Sequence, residues 1–86
     1  MASIEEVRDG IAQANDKASE SMGALDQARS GIEEAQRALQ QVTEGSSQSD
    51  VEQANAYYAE AASKIDDVQQ AINAAIEAAE GVAARL

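Results

Sequence analysis

An all-α, antiparallel two-helix coiled-coil hairpin is the fold this sequence predicts, and three observations predict it. Two heptad ladders run without a slip on either side of a central Gly/Ser-rich segment. In the first, Ile4, Val7, Ile11, Ala14, Ala18, Ser21, Leu25, Ala28, Ile32, Ala35, Leu39 and Val42 alternate at steps of three and four. Val51, Ala54, Tyr58, Ala61, Ile65, Val68, Ile72, Ala75, Ala79, Val82 and Leu86 repeat the rhythm, which is the period of a helix-packing seam. The second observation is propensity: Ala, Glu, Gln and Arg dominate, and proline is absent. The third is volume. Laid antiparallel so that facing residue numbers add to 93, starting from Val42 opposite Val51 and setting Leu25 on Val68, the ladders pair large with small in nearly every other layer, as in Leu39 with Ala54, Ala35 with Tyr58, Ile32 with Ala61, Ala28 with Ile65 and Ser21 with Ile72.

The first helix is expected from about Ile4 to Glu44. Ser3-Ile4-Glu5-Glu6 reads as a capping box with Ser3 as N-cap, and Gly45 stands where a helix C-cap favours a residue tolerant of positive φ. Residues 45–49 form the turn, and a second box at Ser49-Asp50-Val51-Glu52 starts a helix running to about Ala84. Gly23 offers an alternative break that would give three helices, over 4–22, 24–44 and 50–86; the ladder passes through it in phase, which favours the unbroken helix. Near the free ends, Ala18 faces Ala75 and Ala14 faces Ala79, so these layers are either pinched or filled by another chain.

The 86 residues make one domain, 1–86, with a limited core. Of the apolar residues, twenty are alanine and only fourteen are Ile, Leu or Val, with no Phe or Trp. Their burial in a two-helix hairpin is partial, while ordering the backbone costs about 1–2 kcal/mol per residue. Self-association or a helical protein partner is therefore expected, in its simplest form two hairpins making a four-helix bundle by two-fold symmetry. The interface candidates are Tyr57 and Tyr58, the only aromatics, Met22 and Ile76 on the flank of the ladders, and the small residues Ala14, Ala18, Ala75 and Ala79.

With sixteen acids against six bases the net charge is −10, which argues against nucleic-acid backbones and anionic membranes as partners. No stretch approaches the ~18 consecutive apolar residues of a membrane span. Without His or Cys the chain has no imidazole base, thiolate, disulfide or soft metal site. Adjacent acids such as Glu33 and Glu34, or Asp66 and Asp67, diverge by about 100° on a helix and read as solvated charge rather than an acid/base pair or metal ligands. No enzymatic activity, cofactor or small-molecule substrate is expected. The N-terminus, Met1-Ala2-Ser3-Ile4-Glu5-Glu6, is acidic where a signal peptide is basic, so a cytoplasmic start is expected, with leaderless export open.

Architecturally the chain resembles the small hairpin substrates of type VII secretion systems, which form helical-hairpin dimers. Their Trp-X-Gly turn is replaced here by Thr43-Glu44-Gly45-Ser46-Ser47, and their Tyr with an acid four residues on is unmatched, since Ala61 and Ala62 follow Tyr57 and Tyr58 at that distance. The composition, with Val42-Thr43-Glu44-Gly45-Ser46-Ser47 and Glu80-Gly81-Val82-Ala83-Ala84-Arg85-Leu86, is similar to small uncharacterised proteins of high-GC actinobacteria. The expected function is a non-enzymatic interaction or structural adaptor module; the alternative, implied by the resemblance, is a secreted effector or secretion partner.

Overall fold

A computed structural model describes residues 2–44 and 49–86. Two helices make up the fold, α1 (Ile4–Val42, 39 residues) and α2 (Ser49–Arg85, 37 residues). α1 runs unbroken through Gly23, which removes the three-helix alternative. Its start follows from Ser3, whose extended backbone (φ −72°, ψ 164°) lets the hydroxyl accept the Glu6 N–H at 3.1 Å. Glu5 and Glu6 in the first turn complement the helix dipole. α1 stops two residues short of the expected Glu44. Thr43 leaves the helical conformation at φ −110°; its N–H makes the last ordinary i→i−4 bond, to the Leu39 carbonyl, to which its hydroxyl also donates. At α2, Ser49 is already helical rather than the cap before it, and the helix ends at Arg85, one residue beyond expectation; ends differ by this much because terminal turns fray. The cap assigned to Gly45 lies outside the described residues.

The helices pack on each other as an antiparallel hairpin 64 Å long and 17 × 15 Å across. Four hydrogen bonds cross between them and fix the register. Arg29 Nη2 donates to Asp66 Oδ2 at 2.9 Å, and Gln69 Nε2 to Asp26 Oδ1 at 2.7 Å and to the Met22 carbonyl at 3.4 Å. Gln36 Nε2 reaches the Asn55 carbonyl at 3.4 Å. These pairs fall two residues to either side of the register in which facing numbers add to 93, so that alignment describes the hairpin.

The rotation of the helices about their axes differs from the sequence-based expectation. Ile11, Ala18, Leu25, Ile32 and Leu39 are half-buried as the ladder requires, but the alternate rungs Ala14, Ser21, Ala28 and Val42 are exposed. Their places in the seam go to the next residues along, Asn15, Met22, Arg29 and Thr43, while Ala35 stays half-buried and is joined there by Gln36. α2 repeats the substitution, with Gln69, Ile76 and Ala83 half-buried where Val68, Ala75 and Val82 are exposed. Near the turn Ala54 with Asn55, and Ala61 with Ala62, share the seam. Consequently Val42 does not cover Val51 and is 81% exposed, and Leu25 sits in the seam while Val68 does not. Long polar side chains can take these positions because their stems lie on apolar surface while their heads bond across the groove.

Candidate interaction surface

Rotating both helices in the same sense gives the hairpin two unlike sides. One side is polar and internally bonded. Arg29 bridges both helices there, with Nη1 3.2 Å from Glu33 and Nη2 2.9 Å from Asp66, and Gln69 links Asp26 to the Met22 backbone. These ion-pair partners are about two-fifths exposed, so water weakens the attraction and the pairs orient the helices more than they stabilise them. Two polar atoms on this seam, Arg29 Nε and Asn55 Oδ1, are shielded from water without a hydrogen-bond partner. Each such atom costs about 1–3 kcal/mol of desolvation.

The opposite side carries what the seam left out. On α1 it presents Gly10, Ala14, Ala24, Ala28, Gly31 and Ala38; on α2, Tyr57, Val68, Ala71, Ala75, Ala78 and Val82, all exposed. Among the described residues, four of the six large apolar side chains that remain exposed, Val42, Tyr57, Val68 and Val82, lie on this side. The other two, Ile4 and Leu86, stand at the terminal rungs of the ladders. From Val7 to Val42 and from Ala54 to Arg85, the positions that make this face include none of the sixteen acidic residues. Its charges are Lys17, Lys64 and Arg85, and two of them lean on acids at the rim: Lys17 Nζ lies 3.5 Å from Glu20, and Lys64 Nζ 3.2 Å from Glu60. A shallow groove along α1 at the edge of this face is lined by Gly10, Ala14 and Lys17 and, on its outer side, by Gln13, Asp16 and Glu20.

The sequence-predicted interface residues divide between these places. Met22, Ala18, Tyr58, Ile76 and Ala79 are half-buried in the seam within the hairpin, whereas Ala14, Ala75 and Tyr57 stay free, the tyrosine 62% exposed. Arg29, Asp26, Gln36, Asn55 and Gln69 were not singled out by apolar periodicity, which ignores polar residues. Their signal in the sequence is a second, in-phase step of seven, from Arg29 to Gln36 and from Asn55 through Ala62 to Gln69. Among the described residues no three carboxylates converge, and no helix is long and apolar enough to cross a membrane. Comparison with known proteins found no protein family, no curated protein and no solved structure that matches the chain.

Proposed function

We propose that the protein is a non-enzymatic interaction or structural adaptor module that completes its core by packing its hairpin on further helices. The observation that carries this reading is that, among the described residues, not one side chain is buried. A compact 9.0 kDa protein exposes about 4,900 Å², whereas this hairpin exposes 6250 Å², an excess of about 1,400 Å². Covered in a two-hairpin assembly, that excess would remove about 2,800 Å² in all, within the range of obligate assemblies. The acid-free, apolar side of the hairpin is the surface suited to it, because apolar contact there requires no carboxylate to be desolvated.

The test is mass against concentration. Light scattering on the purified chain is expected to give a mass above 9.0 kDa at micromolar concentration, with helicity falling on dilution. A lone, fully helical monomer over the same range, with no partner recovered on cross-linking in its native cell, would overturn the reading.

A further inference from the structure

In each helix the apolar direction and the packing direction do not coincide. Successive residues turn by about 100°, so the observed α1 seam, centred between Leu25 and Arg29, lies about 50° from the centre of the apolar ladder through Leu25 and Ala28. α2 shows the same offset in the same sense, between the Ile72/Ile76 seam and the Ile72/Ala75 ladder. Because the helices run antiparallel, equal offsets of one sense point to one side of the hairpin. A helix in a square bundle touches two neighbours and aims its apolar centre between them, about 45° from each. The hairpin supplies one neighbour to each helix, and the offset places the missing one under the acid-free face for both helices at once.

We infer that the missing pair is a second copy of this chain, packed face to face about a two-fold axis parallel to the helices, so that α1 of each copy lies over α2 of the other. This rests on the interaction-module reading above. Volume chooses the occupant and the axis. Apart from Lys17 and, at its end, Val42, the free side of α1 is made of small residues, while that of α2 sets Tyr57, Val68 and Val82 among alanines, so each copy presents both halves of a complementary surface. An axis along the bundle keeps residues at their own level. Tyr57 then meets the second copy's α1 between Ala35 and Ala38, Val68 between Ala24 and Ala28, and Val82 between Gly10 and Ala14. An axis across the bundle would instead set α1 on α1 and α2 on α2, small on small and large on large, and the two layers would demand different spacings. Gly10 and Gly31 leave this face low: a Cβ built on either meets nothing within 4 Å in the lone hairpin, as at Gly23 on the outer side.

Two measurements test this. Ala28→Glu places a carboxylate at the centre of the exposed face and is expected to raise the dimer dissociation constant about 100-fold in analytical ultracentrifugation. Ser30→Glu, on the outer polar side, is expected to leave it unchanged. Because the chain has no cysteine, a spin label at Gln41→Cys reports the arrangement without relying on a disruptive variant. Dipolar spectroscopy on the labelled dimer is expected to give a separation of about 25 Å, the width of the bundle, against about 50 Å if the α1 C-termini lie at opposite ends. A dimer that survives Ala28→Glu intact, a label distance near the longer value, or a larger oligomer overturns this inference while leaving the interaction-module reading standing. A helical monomer overturns this inference, and overturns that reading too when no partner is recovered on cross-linking in the native cell.

Discussion

At the residue scale, small positions decide more than charged ones. Gly23 lies within α1 on the side away from the free face, and a Cβ there meets nothing within 4 Å. Gly23→Ala should therefore stabilise the fold by about 0.5–1 kcal/mol through helix propensity alone, seen as a raised Tm. Asp66 shows the opposite economy. Its bond to Arg29 is the shortest ion pair in the hairpin, yet both partners are about two-fifths exposed. Asp66→Ala should cost no more than about 1 kcal/mol, and 1 M salt should erase most of the difference between variant and parent in urea titrations. A loss well above that figure, insensitive to salt, would mean that the pair is shielded from water by something outside the hairpin.

At the scale of the helices, much was legible in the sequence. The 3–4 spacing located both, the Ser3 box located the start of α1, and the large-on-small pairing gave a register that the Arg29–Asp66 and Gln69–Met22 bonds bracket. Rotation was not legible, for a physical reason. Periodicity reports where a helix is apolar, which is the resultant of all its neighbours, while a hairpin seam is one neighbour only. Val68 and Val42 were therefore assigned to a seam that Gln69 and Thr43 occupy. The end of α1 at Val42 falls two residues short of the expected one, a difference that the fraying of a last turn produces. The start of α1 gives a direct prediction: Ser3→Ala should lower stability by about 1 kcal/mol, with amide exchange accelerated first at Glu6.

At the scale of the whole molecule, the 64 Å rod has length without thickness. With every described side chain at least partly wet, the area available to oppose chain entropy is small for one copy and grows when another layer is added. Tm is accordingly expected to rise with protein concentration, by several degrees per tenfold, in calorimetric scans; a Tm that is flat from about 1 to 100 μM would place the stabilising contacts within the single hairpin.

The lack of an interior carries a consequence for the living cell. If the chain is stabilised by self-association, as proposed, its lifetime is set by its own abundance. Newly made copies in short supply would be open to proteases, whereas those above the association threshold would shelter one another. Output from the gene would then reach its working form steeply rather than in proportion, a dosage filter written into the shape of the fold.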